Sequence, residues 1–154
     1  DRVCLDRDPV IITRNRDQSV VMLSLEDYES LQETSYLLRN PVNAKRLLES
    51  IEAAENGSVI QKNINLDLEL HFHTTIRDDY QFWVATDKKV LKRINELLKD
   101  VTRSPFDGIG KPEPLRHALA GYWSRRITDE HRMVYRQTEA GIVIVQLRYH
   151  YQKS

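Results

Sequence analysis

Glu113 stands between Pro112 and Pro114, at the end of the loop segment Ser104-Pro105-Phe106-Asp107-Gly108-Ile109-Gly110-Lys111. Flanking prolines stiffen the backbone and give this carboxylate a set direction. Downstream, basic and aromatic residues recur as Tyr122, Trp123, Arg125, Arg126, His131, Arg132, Tyr135, Arg136, Arg148, Tyr149, His150 and Tyr151. If these runs are strands, Ser124, Arg126 and Thr128 share one face, as do Arg132, Val134 and Arg136, and again Gln146, Arg148 and His150. A sheet face given to Arg and His is either solvated or a binding surface, and spacing leaves both open. Metal-free RNA cleavage needs few parts. A base takes the 2′-hydroxyl proton, an acid protonates the leaving 5′-oxygen, and a cation stabilises charge on the phosphoryl oxygens. Glu113, His150 and Arg132 are groups of those three kinds, though spacing alone does not bring them together.

Other chemistries lack their residues. The sequence has no HExxH pair, Gly-rich phosphate loop or nucleophile elbow. His71 and His73 share one strand face, but no third ligand can be pointed to, so the solvent face of an edge strand is the better reading. His117 and His131 read the same way, and neither metal nor cofactor is expected. Cys4 is the sole cysteine, which leaves no disulfide framework. No apolar stretch reaches membrane-spanning length and no basic-then-apolar leader is present, so a cytoplasmic location is expected.

The residues are 40% hydrophobic and 30% charged, a globular composition. The zero net charge hides a division: residues 1–69 hold 8 Lys/Arg against 13 Asp/Glu, and residues 70–154 hold 15 against 10. Two modules carrying −5 and +5 suit each other, and a basic module with its own aromatics suits RNA. Charge of that size is also ordinary for solubility.

The elements follow the same division. Residues 9–13 and 19–23 predict a β-hairpin around a polar loop. Ser24 predicts an N-cap for a helix whose stripe is Leu25, Tyr28, Leu31 and Ser35. Asn40-Pro41 starts a second helix with Val42, Leu47, Leu48, Ile51 and Ala54 in line, ended by Gly57. Residues 58–65 read as an extended tail. Leu66, Leu68, Leu70 and Phe72 alternate with polar residues as a half-buried strand. Helices are predicted from Thr74 to about Ala85 and from Asp87 onward, the latter with Val90, Leu91, Ile94, Leu97, Leu98 and Val101 inward. Strands are predicted near 115–119, 122–128, 131–138 and 142–150. The fold class is α+β, with a hairpin-plus-helices module at residues 1–66 and a module of one strand, two helices and an antiparallel sheet at 67–154.

Residues 68–151 resemble the YoeB toxins of the RelE-like microbial ribonucleases. The likeness rests on Asp87-Lys88-Lys89, Ile94-Asn95-Glu96-Leu97, Pro105-Phe106, Gly110-Lys111-Pro112-Glu113-Pro114-Leu115, Gly121-Tyr122-Trp123-Ser124-Arg125-Arg126-Ile127-Thr128, Glu130-His131-Arg132 and Arg148-Tyr149-His150-Tyr151. Residues 8–65 resemble the Phd/YefM antitoxins through Pro9-Val10-Ile11-Ile12-Thr13-Arg14, Met22-Leu23-Ser24-Leu25-Glu26-Asp27-Tyr28, Glu33-Thr34-Ser35-Tyr36-Leu37-Leu38-Arg39 and Pro41-Val42-Asn43-Ala44-Lys45-Arg46-Leu47-Leu48. The resemblance implies an endoribonuclease that cuts mRNA on the ribosome. In it Glu113 is the general base, Arg132 the transition-state arginine, and His150 and Tyr151 the functional C-terminal pair. Lys111, Arg126, Arg125 and Tyr149 are the implied RNA contacts. The antitoxin segment is expected to silence the toxin in cis or by exchange between chains, with the tail around 58–66 as its masking contact, and a homodimer is possible. Compared with the family pattern, Gln152-Lys153-Ser154 follow the His-Tyr pair. The antitoxin's first strand and most of its first helix, which build the dimer and operator-binding unit, have no counterpart, so DNA binding is not expected. A non-catalytic complex acting in transcriptional autoregulation is the alternative.

Overall fold

The computed structural model describes residues 2–15, 18–57, 60–62, 70–72 and 74–150. A short helix, α1 (Arg2–Asp6), comes first. The hairpin β1 (Val10–Arg14) and β2 (Gln18–Met22) follows, pairing Val10 with Met22 and Arg14 with Gln18. All ten of its residues are exposed. Helices α2 (Leu25–Arg39) and α3 (Pro41–Glu55) begin at their expected caps. Ser24 Oγ accepts from the Asp27 amide, and Asn40 Oδ1 accepts from those of Val42 and Asn43. Their faces are partly corrected. Leu25, Tyr28 and Leu31 of α2 are exposed, as are Val42 and Leu48 of α3. The buried face of α2 is Asp27, Ser30, Glu33, Thr34 and Leu37, mostly polar.

The remaining strands build one sheet in the order β3-β4-β8-β7-β6-β5. Its members are β3 (Ile60–Lys62), β4 (Leu70–Phe72), β5 (Glu113–Pro114), β6 (Trp123–Arg126), β7 (Arg132–Thr138) and β8 (Gly141–Gln146). Strand β4 runs parallel to β8 and antiparallel to β3. It is therefore an inner strand, not the edge strand expected for His71. His73 and residues 66–69 lie outside the described residues.

Helices α4 (Thr74–Thr86) and α5 (Lys88–Arg103) cover one face, where Ile76, Trp83, Ile94, Leu97, Leu98 and Val101 pack on Met133, Tyr135, Ile142, Ile144 and Leu147. Helices α2 and α3 cover the other, where Leu37, Leu47 and Ile51 join Leu115, Leu119, Tyr122, Val134 and Val145. The sheet is thus sandwiched, with the N-terminal module supplying one layer. No helix of the described residues is long and apolar enough to cross a membrane.

Two strand expectations are corrected. Residues 115–119 hold a 3-10 turn (His117–Leu119), and the strand there is the two-residue β5, which includes Glu113. Strand β8 stops at Gln146 after a bulge opposite Val134 and Tyr135. Beyond it the backbone amides bond to side chains instead of a neighbouring strand. Leu147 N–H donates to Asp79, Tyr149 N–H to His131 Nδ1, and His150 N–H to Asn43 Oδ1. Gln146, Arg148 and His150 therefore do not share a strand face.

Candidate functional site

The loop that delivers Lys111 and Glu113 is fastened from below by Arg125. This side chain is wholly buried, and its donors are fully used. Nε donates to Tyr135 Oη at 3.1 Å, Nη1 to Asp100 Oδ2 at 2.6 Å and Ile109 O at 3.1 Å, and Nη2 to the carbonyls of Ser104 at 2.5 Å and Asp107 at 2.9 Å. Asp100 also accepts from Ile109 N–H and from Arg103. Burial raises the Asp100 carboxyl's pKa, but the Arg103, Ile109 and Arg125 hydrogen bonds together outweigh it and hold it below its ordinary value. Gly108 passes so close to Asp100 that an added Cβ would lie 2.0 Å from Oδ2. Arg125 is thus a structural clasp, which corrects its expected role as an RNA contact: no face of it is open to a ligand.

Above the clasp, Lys111, Glu113, Arg126 and Arg132 line one cavity of about 210 Å³. Arg126 and Arg132 are register partners on β6 and β7, while Glu113 pairs with Ser124 on β5 and β6. Lys111 adopts left-handed backbone (φ 52°), an uncommon conformation for a residue with a Cβ. Its Nζ lies 4.0 Å from Glu113 Oε1. The structure therefore brings together three cations and the expected base.

The same cavity is walled by Glu29, Gln32, Glu33 and Tyr36 of α2. Glu33 Oε1 accepts from Arg132 Nε at 2.6 Å and from Ser124 Oγ at 2.7 Å. Glu29 Oε1 sits 3.5 Å from Lys111 Nζ. The Tyr36 ring lies against Arg132, with Cζ 4.7 Å from the ring centroid, and its hydroxyl donates to Glu130 O at 2.7 Å. Farther along α2, Asp27 holds Arg116 at 2.6 Å, and Ser30 Oγ donates to Pro114 O. Burial pushes the Glu113 carboxyl above its ordinary pKa; Glu29 adds to this, Lys111 opposes it, and Glu33 adds again. A carboxylate displaced toward neutrality among cations suits a general base.

His150 does not line this cavity. It borders a neighbouring hollow of about 560 Å³ with Phe82, Trp83, Thr86, Asp87, His131, Arg148 and Tyr149. Its Nε2 lies 2.8 Å from Oδ1 of Asp79, a residue only 3% exposed, and Arg46 of α3 approaches the same oxygen at 3.6 Å. A carboxylate accepts, so Nε2 carries a proton directed at Asp79. Tyr149 is buried, donates its hydroxyl to Tyr36 O at 2.9 Å and stacks on the Tyr36 ring, centroids 4.9 Å apart. Burial lowers the pKa of His131, whose Nδ1 accepts from Tyr149 N–H. Tyr151 lies outside the described residues.

Sequence reasoning overlooked Asp79, which follows Asp78, and Asp100 because both lie on amphipathic helices, where acids normally meet solvent. The expected masking contact, the tail around 58–66, lies largely outside the described residues. Its described residues are β3, which joins the sheet at the edge opposite β5. Among the described residues the cavity is walled by α2, whose signal was present in the acids Glu29 and Glu33, one helical turn apart.

Comparison with known proteins agrees with this two-part architecture. The profile of the YoeB-like toxin of bacterial type II toxin–antitoxin systems matches residues 72–151. That of the antitoxin Phd_YefM, also of type II systems, matches residues 1–57. Over 74 residues the chain is 60% identical to Toxin YoeB of Escherichia coli (strain K12), covering 48% of this chain and 88% of that protein. The same figures hold for Toxin YoeB of Streptomyces coelicolor (strain ATCC BAA-471 / A3(2) / M145). Among solved structures, a chain of the YoeB-YefM complex from Staphylococcus aureus superposes with a TM-score of 0.52 at 44% identity, covering 56% of this chain and all of that one.

Proposed function

The chain belongs to the YoeB-like toxins of bacterial type II toxin–antitoxin systems, with a YefM/Phd-type antitoxin in the same polypeptide, and from this we propose that it is a ribosome-dependent mRNA endoribonuclease held silent by its own antitoxin segment. The modules are residues 1–66 and 67–154, and the carrying observation is the cavity itself. Glu113, with its raised pKa, sits among Lys111, Arg126 and Arg132, and acidic side chains of α2 fill the space a substrate phosphate would take.

In the released enzyme, the Glu113 carboxylate takes the proton of a 2′-hydroxyl, and that oxygen attacks the adjacent phosphorus. Arg132, with Lys111 and Arg126, stabilises the charge on the phosphoryl oxygens. The bond to the 5′-oxygen breaks, leaving a cyclic phosphate, and the departing oxygen takes its proton from His150. Tyr149 contributes an RNA contact, and Tyr151 completes the functional pair with His150. Silencing has two supports: Glu33 and Tyr36 occupy Arg132, and Asn43 and Arg46 of α3 hold His150 and its partner Asp79 in the neighbouring hollow. A tethered antitoxin acts at high effective concentration, so inhibition persists at any dilution. Exchange of the segment between two copies is compatible with the same contacts, and the wholly exposed hairpin β1–β2 offers a surface for a homodimer.

The test is mRNA cleavage on programmed ribosomes by the full chain and by its Glu29→Lys/Glu33→Lys variant, which sets like charges against Lys111 and Arg132. The parent should be nearly silent and the variant active, with activity lost on adding Glu113→Gln or His150→Gln. A folded variant that binds ribosomes without cutting would sink the ribonuclease and leave a non-catalytic complex, to be sought by operator gel shifts.

A further inference from the structure

Three features of α2 meet three features of the toxin module in a fixed order. Glu29 faces Lys111; Glu33 faces the Arg132–Ser124 pair; and the Tyr36 ring contacts both the Arg132 guanidinium and the Tyr149 ring. Residues four apart on a helix have Cβ atoms about 5–6 Å apart, a spacing on the scale of successive phosphates in one strand. A carboxylate bonded to a guanidinium and a hydroxyl uses the donors that a phosphate oxygen would use. An aromatic ring held against a guanidinium and a tyrosine uses the surfaces on which proteins stack an unpaired RNA base.

We propose that the gap between Arg132 and Tyr149 is a stacking slot for an RNA base, flanked by phosphate subsites at Lys111 and at Arg132–Ser124, and that α2 occupies all three as a nucleotide mimic. The proposal rests on the ribonuclease reading and refines it, because it states which part of the strand lies where. It gives Ser124 a phosphate contact and Tyr149 a stacking role. It also places the Glu130 carbonyl, now accepting from Tyr36 Oη, beside the outer edge of the base, where an N–H of the base can donate.

The slot is tested on the full chain carrying Glu33→Gln/Tyr36→Ala, which empties it. The probe is a 2′-O-methyl dinucleotide, which has no nucleophile and cannot be cut. Isothermal titration should show binding to this variant and none to the parent. Tyr149→Leu in the emptied chain should weaken binding roughly tenfold or more, Tyr149→Phe should leave it within about twofold, and an abasic sugar-phosphate probe should ignore both. Tyr149→Leu could perturb folding, so a second reading needs no variant there: protons of the bound base should shift upfield in the NMR spectrum from ring current. Equal binding of the dinucleotide and abasic probes, or no upfield shift, overturns the slot. Cleavage by the released enzyme together with such a failure would leave the ribonuclease standing. Slot binding without any cleavage would do the reverse.

Discussion

Replacing Arg125 by Met separates a structural arginine from the neighbouring Arg126, proposed to hold substrate phosphate. Arg125 makes five hydrogen bonds from a fully buried guanidinium, three of them to carbonyls of residues 104–109. Removing one partner of a buried ion pair costs about 3–5 kcal/mol, because the other charge is left uncompensated. Each carbonyl that loses its donor adds of order 1 kcal/mol where water cannot enter. Taking about 3–5 kcal/mol as the net, and 2–4 °C per kcal/mol for a chain of this size, Arg125→Met should lower Tm by roughly 6–20 °C. Arg125→Lys should recover little, since one ammonium cannot reach five acceptors. Asp100, held below its ordinary pKa when folded, contributes stability that is present above its unfolded value and lost as pH falls through the folded one. Losing Arg125 removes part of that depression, so the acid-unfolding midpoint should move up. Thermal melts at neutral pH and an acid titration measure both effects. The parallel variant Arg126→Met removes an exposed cation and should leave Tm within about 2 °C. If Arg125→Met melts with the parent, the clasp is refuted.

Three further outcomes are expected. The Glu113 pKa is raised by burial and then by Glu29, so Glu29→Gln should lower it toward the ordinary value, seen by carbon NMR titration; the released enzyme should gain activity as pH rises through that value, because the base works deprotonated. Since the raised pKa makes the folded chain bind the Glu113 proton more tightly than the unfolded one, this group's contribution to stability falls as pH rises from the unfolded toward the folded value. Asp79→Asn should destabilise the chain by about 1–3 kcal/mol and free the imidazole tautomer, so nitrogen NMR of His150 should no longer show the proton confined to Nε2; an unchanged spectrum would contradict the assigned pair. Ile11→Lys/Val21→Lys, placed on hairpin residues 69% and 59% exposed, should reduce self-association in light scattering, and no change would rule the hairpin out as a dimer surface.

The elements were legible where local chemistry and packing agree. Asn40-Pro41 and Asp87 mark helix starts that need no tertiary contact, and the buried positions of α5 follow from its period. Helix α2 was misread because its packing inverts the usual rule: its buried face meets a polar cavity, so it carries Asp27, Ser30, Glu33 and Thr34, while Leu25 and Leu31 stay outside. The end of β8 was overestimated because alternation continues in sequence after side chains have captured the backbone amides. For the site, residue types pointed to Glu113, Arg126 and Arg132, and the structure gathers them with Lys111. Alternation set Arg125 and Arg126 on opposite strand faces in sequence, but not which of those faces would line the cavity. Adjacent strand residues face opposite ways, so one looks into the cavity and the other into the clasp.

The antitoxin's two helices divide their work, and the division can be measured. Helix α2 meets charged and hydroxyl groups, which set specificity and register, whereas α3 contributes Leu47 and Ile51 to an apolar cluster with Leu115, Leu119, Tyr122, Val134 and Val145. Glu33→Gln keeps an acceptor for Arg132 and Ser124 but drops the charge, a loss of about 1 kcal/mol. It should loosen α2 over the cavity and leave α3 seated. Leu47 is 1% exposed, and Leu47→Ala should cost about 2–5 kcal/mol. That change weakens the layer covering the sheet, so it should loosen both helices and uncover apolar side chains of β7 and β8. Hydrogen exchange resolves the two cases: Glu33→Gln should accelerate α2 amides alone, and Leu47→Ala should accelerate α2, α3 and the β7–β8 ladder together. The same exchange pattern from both variants would mean that the helices leave as one unit, and that the site cannot open without exposing the core beneath it.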